Sequence, residues 1–430
     1  MIRSHYVNQL SASMDGKEVT LAGWVHEVRE TGKITFLLLR DRTGIVQVIG
    51  KKGVTDSRIL EKMALQKESV IKVVGSLKAN KEAKAGFEIV PKEISNLNPL
   101  SAQIPFEVTG KVPADLDVRL DYRYIDLRRV ETNAIFNIES TMMDTFLDAL
   151  RAQGFLTIRP PSMIAEASEG GSDLFPIAYF EKEAYLAQSP QLYKQLAVIG
   201  GLDKVVMITP VWRAEKSNTT YHLTESTQMD IEMGFADHED AIKVLSETVR
   251  SIIKAVKENN AKDLEMLKAP ELKVPEVKAV TYAEVIDRLH KKGHALEFGN
   301  DLTREHESAI HKEFGEAVVI KEFPTAIRAF YSMPKAENPE LTNSFDFIYR
   351  GLEISSGAQR IHDYGLLTKS LEKKGLDPKK FEFYTHAFRC GAPPHAGWSI
   401  GLERFAMRIT GSENIRECSM FPRDRKRITP

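Results

Sequence analysis

Cysteine is nearly absent from this chain. Only Cys390 and Cys418 stand among its 430 residues. That is too few for a disulfide framework or a cysteine-rich zinc site, and it fits a reducing cytosol. Net charge is missing as well: 59 Lys and Arg against 60 Asp and Glu leave −1, with an isoelectric point near 6.9. No whole-chain basic field draws in a polyanion, so any nucleic acid has to be met by local patches. No apolar run approaches the ~18 residues of a membrane span. The opening MIRSHYVNQLSASMDG lacks the apolar core of a secretory leader. Internal repeats and low-complexity tracts are also absent. What is present is 42% hydrophobic residues at a mean hydropathy of −0.28. That supports a substantial core and, at this length, two or three domains.

The first hundred residues read as short strands with turns: VTLAGWVHEVRE, ITFLLLRDRTG, IVQVIG, SVIKVVGSLKA and GFEIVPKEISNL. A helical piece, SRILEKMALQ, falls between the third and fourth. Five strands in this order match an OB-fold barrel, whose second and third strands offer a face to single-stranded nucleic acid. Arg29, Phe36 and Gln47, one from each of the first three strands, can cluster at that face. Phe36 is either a stacking platform for an unpaired base or a barrel-core aromatic, and Arg29 and Gln47 suit base edges. IPFEVTGKVP then reads as a linker. Asp117–Arg129, DVRLDYRYIDLRR, is either a solvated, self-paired strip or a nucleic-acid backbone contact.

Further on, Ile135, Ile138, Met142, Phe146 and Leu150 make one stripe of a long helix stopped by Gly154. That helix and the following GFLTIRPPSM suit a dimer element or an ordinary core helix. Gln188, Gln191 and Lys194, spaced by three, can face one side and meet a ligand carboxylate. VVMITPVWRAEKSNTTYHLTESTQMDIEMGF reads as strand, polar loop, strand. In it Met229, Ile231, Met233 and Phe235 alternate toward a core, with Asp230 and Glu232 on the other face. Arg213 and Glu215 share a strand face, as a surface ion pair or as grips on two parts of one ligand. A helix capped by Asp237 turns Ile242, Leu245, Val249, Ile252, Ile253 and Val256 inward. Residues 268–340 carry no chemistry signal and read as scaffold or a variable insertion. In NSFDFIYRGLEISSGAQR, Glu353 and Ser356 are oxygen donors suited to Mg2+. GAPPHAGWSIGLERFAM ends in a helix start that favours anions, beside Arg404.

Together these stretches are far more specific than any one of them. GFLTIRPP resembles motif 1, VWRAE with its loop and second strand motif 2, and GLERF motif 3 of the class II aminoacyl-tRNA synthetases. SEGGSDLF, QSPQLYKQ and EISSGAQR resemble the amino-acid pocket of aspartyl-tRNA synthetases, and FPRDRKRITP their C-terminal end. The resemblance covers essentially the whole chain and is closest to the archaeal and eukaryotic cytosolic type. Bacterial members insert a whole domain between motifs 2 and 3, for which this chain leaves little room. The class I signatures HIGH and KMSKS are absent.

The resemblance implies an α+β fold. An OB-fold anticodon-binding barrel spans residues 1–102 and a linker 103–130. A class II catalytic domain, a mainly antiparallel sheet flanked by helices, spans 131–430. It implies a cytoplasmic homodimeric ligase that uses ATP and Mg2+ to activate L-aspartate and load it onto tRNA(Asp), or in a relaxed version also onto tRNA(Asn). Position by position, Glu169 and Gln191 hold the α-amino end of aspartate. Lys194 and Arg360 hold its side-chain carboxylate, with Leu192, Tyr193, Arg213 and Ser356 completing the amino-acid pocket. Arg213, Ala214, Glu215, Tyr221, His222 and Leu223 line the ATP site, and Gly401, Leu402, Glu403 and Arg404 close it. Glu353 and Ser356 sit at the metal. Arg213, Glu353 and Arg404 carry the catalysis, and Arg29, Phe36 and Gln47 grip the anticodon.

The chain departs from the family at two points. Tyr221 stands where many members have Arg, and Ser226 where many eukaryotic members have a stacking Phe. His26 and Lys84 fall near the third anticodon base, on which the choice between the two tRNAs turns. Two other classes compete with this reading. A tRNA-independent aspartate ligase or asparagine synthetase would usually lack the barrel. A catalytically inactive synthetase-like tRNA-binding module is opposed by intact Arg213, Glu353 and Arg404.

Overall fold

The computed structural model describes residues 1–167 and 174–430. They form two compact units, Met1–Asn133 and Ala134–Pro430. In the first unit, strands β1 (Glu18–Thr31), β2 (Ile34–Asp41), β3 (Gly44–Lys51), β4 (Val70–Ala79) and β5 (Phe87–Asn98) close a barrel. The strand order is β1-β2-β3-β5-β4, with helix Ser57–Met63 between β3 and β4. Alternation builds it: Leu37, Leu39, Val46 and Val48 point into the core, while Phe36 and Gln47 lie half-buried on the opposite side of their strands. Phe36 is therefore not a barrel-core residue.

The segment expected as a linker holds helices Leu116–Asp121 and Arg123–Asp126 and is tied to the barrel. Lys111 pairs with Glu27 at 2.6 Å, and Arg128 with Glu68 at 3.3 Å. The Asp117–Arg129 strip is paired in part within itself and is solvated on one side only, with Asp117, Asp121, Tyr122 and Tyr124 exposed. Arg123 and Asp126 are fully buried 2.5 Å apart, and Arg119 reaches the same carboxylate at 2.8 Å.

The second unit is built on an eight-stranded sheet and a small three-stranded one. Its strands are β6 (Leu156–Thr157), β7 (Met163–Ile164), β8 (Pro176–Tyr179), β9 (Lys182–Leu186), β10 (Lys204–Trp212) and β11 (Glu225–Gly234). There follow β12 (Lys278–Thr281), β13 (Ala317–Lys321), β14 (Ser344–Tyr349), β15 (Leu352–Arg360) and β16 (His395–Gly401). The large sheet runs β12-β13-β14-β15-β16-β11-β10-β6, antiparallel except for the terminal pairs β12–β13 and β10–β6. Helices Val130–Arg151 and His238–Asn259 pack on one face through the apolar stripes expected of them. Ile138, Met142, Phe146, Leu245, Val249 and Ile252 are fully buried against Phe345, Phe347 and Trp398.

One expectation fails here. Phe235 does not continue the core face of β11. The strand stops at Gly234, and Phe235 turns to a positive φ of 55° and is 80% exposed. Residues 268–340, read as scaffold or an insertion, hold part of the main sheet. β12 and β13 extend the main sheet, and helices Tyr282–Lys291 and Arg304–Phe314 close their own core over it. Their periodicity was ordinary, so nothing in the sequence marked them as part of the sheet. Among the described residues, no helix is long and apolar enough to cross a membrane.

Candidate active site

A cavity of about 370 Å³ opens over the face of the sheet away from those two helices. Its walls come from helix Gln191–Ala197, the β10–β11 hairpin, β15, β16, helix Leu402–Thr410 and an irregular stretch, 327–332. Gln191, Lys194, Arg213, Glu215, Tyr221, His222, Leu223, Glu353, Ser356, Arg360, Gly401, Glu403 and Arg404 all line it. Leu192, Tyr193, Ala214 and Leu402 do not. Leu192 packs with Phe330, Tyr384 and Phe388, and Leu402 lies in the main core. Glu169 lies outside the described residues.

At one end stand four charged side chains. Lys194, 1% exposed, donates to Asp230 Oδ1 at 2.6 Å and to the Trp398 carbonyl at 3.4 Å. Arg360 forks onto Glu232 through Nε at 2.9 Å and Nη2 at 3.2 Å. Lys194 also lies 3.5 Å from Glu232, so the two pairs form one network. Burial pushes the Glu232 carboxyl up, but Arg360, then Lys194, outweigh it and hold it below the ordinary carboxylate value. β11 supplies both acids on one face because side chains repeat every second residue. The neighbouring strand gives way to them: a Cβ on Gly397 would stand 2.3 Å from Glu232 Oε2. Gln191 Nε2 is buried at this wall without a hydrogen-bond partner among the described residues.

Glu353 and Ser356 are three apart, which on a regular strand puts them on opposite faces. A bulge removes the conflict. Phe347 pairs with Ser355 and Ile348 with Glu353, leaving Ile354 surplus. Glu353 and Ser356 thus share a face, and Asp346 joins them as the register partner of Ser356. Burial first, and Asp346 second, push the Glu353 carboxyl up to about 7, with Arg404 opposing. Asp346 pairs with Arg328 at 2.7 Å through Oδ2, while its buried Oδ1 has no hydrogen-bond partner among the described residues. Two carboxylates short of positive charge beside a hydroxyl are a donor set that fits a hard divalent cation such as Mg2+. Asp346, Arg328, Tyr331 and Ser332 were not among the expected site residues. Asp346 was visible as a charged residue on an alternating strand, but the stretch around Arg328 has no periodicity that could have flagged it.

The remaining wall is cationic. Arg213 continues from β10 and donates its backbone N–H to the Thr224 carbonyl at 2.9 Å, closing the loop's base. Arg404 projects from the first turn of its helix, with Nη1 3.5 Å from the Glu353 carbonyl. His222 is bonded to Thr219 Oγ1 at 2.6 Å. Burial lowers its pKa, with Glu215 opposing and Arg404 and Arg304 adding to the fall. Glu403 receives the Thr227 N–H at 2.9 Å, and burial pushes its carboxyl up to about 7. It fastens the helix to the hairpin.

On the barrel, Arg29 and Phe36 are register partners across β1 and β2, and Leu38 pairs with Gln47 across β2 and β3. Arg29 is held by Glu27, and Gln47 donates to Glu88 at 3.1 Å.

Comparison with known proteins agrees with both units. The family described as tRNA synthetases class II (D, K and N) matches residues 115–425, and the OB-fold nucleic acid binding domain matches 19–97. The chain is 47% identical to the Aspartate--tRNA(Asp/Asn) ligase of Methanocaldococcus jannaschii, covering 100% of this chain and 98% of that one. It is 46% identical to the enzyme of the same name from Methanopyrus kandleri, over the full length of both. Among solved structures, it resembles the asparaginyl-tRNA synthetase of Pyrococcus horikoshii bound to asparaginyl-adenylate. The TM-score is 0.96 at 34% identity, with both chains fully covered. It also resembles the aspartyl tRNA synthetase of Entamoeba histolytica, with a TM-score of 0.88 at 32% identity, covering 99% of this chain and 92% of that one.

Proposed function

The chain belongs to the class II tRNA synthetases (D, K and N), and on that premise we propose that it is an aspartate–tRNA ligase loading both tRNA(Asp) and tRNA(Asn). The observation that carries the choice of amino acid is the pair of buried cations, Lys194 and Arg360, at one wall of the cavity. A carboxylate entering a closed pocket is strongly disfavoured unless cations meet it. Asp230 and Glu232 hold the two cations in place, so an incoming acid finds them oriented. An asparagine amide would turn an N–H toward one of them. The likeness to an asparaginyl enzyme is a likeness of fold.

In this reading one carboxylate oxygen of aspartate attacks the α-phosphorus of ATP. The bond to the bridging oxygen breaks and pyrophosphate leaves. A terminal ribose hydroxyl of the tRNA then attacks the mixed anhydride and AMP leaves. No protein nucleophile is needed, so catalysis is alignment and charge neutralisation. Arg213 and Arg404 neutralise the phosphates. Gln191, with its unmet donor, serves the polar end of the amino acid. Mg2+, when bound, would neutralise and bend the triphosphate; Glu353, Asp346 and Ser356 are the residues that would hold it.

Arg29, Phe36 and Gln47 meet the anticodon, a role supported by the outward Phe36 ring. A homodimer is supported by the family and by exposed Leu156 on edge strand β6. A cytoplasmic site rests on the family and on two unpaired thiols. Relaxed tRNA choice rests on the relatives' names. Charging purified tRNA(Asp) and tRNA(Asn) tests it: aspartate attached to both is the expected result, and none on tRNA(Asn) refutes the relaxed form.

A further inference from the structure

Tyr221 forms part of the cavity wall, and the Arg304 guanidinium stacks on its ring 3.7 Å from the centroid. Arg304 comes from the first turn of helix Arg304–Phe314, in the segment that showed no chemistry in sequence. Arg408 approaches the same tyrosine from helix Leu402–Thr410. It follows Arg404 by four residues, so the two arginines lie on one helix face.

The charges around this ring do not balance. Arg304 Nη1 donates to Glu307 at 2.7 Å, but Glu307 also accepts the Glu353 backbone N–H at 2.9 Å. Arg304 Nη2 and Arg408 Nε are both enclosed, and neither atom has a hydrogen-bond partner among the described residues. Burial holds Arg408 below the ordinary guanidinium value, with Tyr221 opposing and Arg304 adding to the fall. Enclosed N–H donors without acceptors are rare in folded proteins and call for an explanation. Here two planar cations with Glu307 as their nearby carboxylate flank Tyr221, and it is Tyr221 that lines the cavity beside Arg404 and His222.

We propose that Arg304 and Arg408, bridged by the Tyr221 ring, bind the terminal phosphates of ATP and the pyrophosphate that departs. The proposal rests on the reading of the cavity as an ATP site. A phosphate has the several oxygens needed to take donors from two guanidiniums at once. The site would also give the leaving group a place apart from the amino-acid end, where Lys194 and Arg360 stand.

The test uses the full-length protein and the variants Arg304→Ala, Arg304→Lys and Arg408→Gln. Aspartate-dependent ATP–pyrophosphate exchange gives KM for ATP, for pyrophosphate and for aspartate. Binding of aspartyl-sulfamoyl adenosine, which lacks β and γ phosphates, reports an intact pocket. Arg304→Ala and Arg408→Gln are expected to raise both phosphate KM values about ten- to a hundredfold, the loss of a hydrogen bond to a charged group. Aspartate KM and analogue affinity stay unchanged, and Arg304→Lys recovers part of the loss. Equal weakening of the analogue, or unchanged KM for ATP and pyrophosphate, overturns the proposal. Absence of exchange in the unmodified protein would instead refute the ATP reading itself.

Discussion

Lys194 donates a 2.6 Å hydrogen bond to Asp230 in a setting where both side chains are 1% exposed. Removing one member of such a pair leaves a bare buried charge, at a cost of about 3–5 kcal/mol. Lys194→Ala is therefore expected to lower the melting temperature and raise aspartate KM far more than ATP KM. The double change Lys194→Gln with Asp230→Asn removes both charges. It should recover most of the stability and none of the aspartate affinity. Thermal unfolding with exchange kinetics checks both, and equal losses for aspartate and ATP would remove Lys194 from its assigned role.

The carboxyl of Glu353 holds its proton to about 7, against an ordinary 4.5. Between those values the folded state binds more protons than the unfolded one, so rising pH favours unfolding. The stability this group contributes is complete below 4.5 and lost as pH passes 7. A divalent cation takes the proton's place, so its binding should release protons and strengthen through this window. Melting curves at pH 5.5 and pH 8 (about one and a half units below and one above the raised value), with and without Mg2+, measure it. Mg2+ should stabilise the protein more at the higher pH, and Glu353→Gln should abolish most of the difference. Equal stabilisation at both pH values would contradict the assignment.

Gly397 leaves room for the Glu232 carboxylate, since an added Cβ would stand 2.3 Å from Oε2 and from the Ile231 carbonyl. The second contact is backbone and cannot swing aside. Gly397→Ala should cost about 1–3 kcal/mol, the range for overpacking, and displace Glu232 from Arg360. Urea unfolding gives the first effect and a raised aspartate KM the second.

Phe36 sits half-buried on β2 beside fully buried Leu37. Phe36→Ala should weaken tRNA binding by about 1–3 kcal/mol, as for loss of one base stack. Exchange without tRNA should be unaffected. Leu37→Ala should instead destabilise the barrel by about 2–5 kcal/mol. Filter binding and melting separate the two, and a Phe36 variant that lost stability but not tRNA affinity would mark a packing role.

The barrel strands and both long helices were legible because period-two and helical stripes survive intact in the chain. Ile135 to Leu150 and Ile242 to Val256 are buried as their spacing requires. The charged faces of β11 and β15 were legible as faces, but their pairings were not. Nothing local says that Asp230 finds Lys194, or that Ile354 is surplus. Arg328, Tyr331 and Ser332 escaped because irregular backbone brings them to the cavity. Tyr221 was conspicuous as a departure from the family's loop. The two arginines that flank it lie far away in sequence and could be seen only once folded.

The surplus Ile354 lets two donors three residues apart stay level with each other. Flattening the kink while keeping Ile354 would swing Glu353 around to the core side, away from Ser356 and Asp346. Dropping Ile354 outright would leave the donors two apart, a spacing at which a plain pleat already carries both on the cavity side. A segment transplanted from a relative therefore keeps the pair together either with the kink or with the shorter spacing, but not with the longer spacing ironed straight.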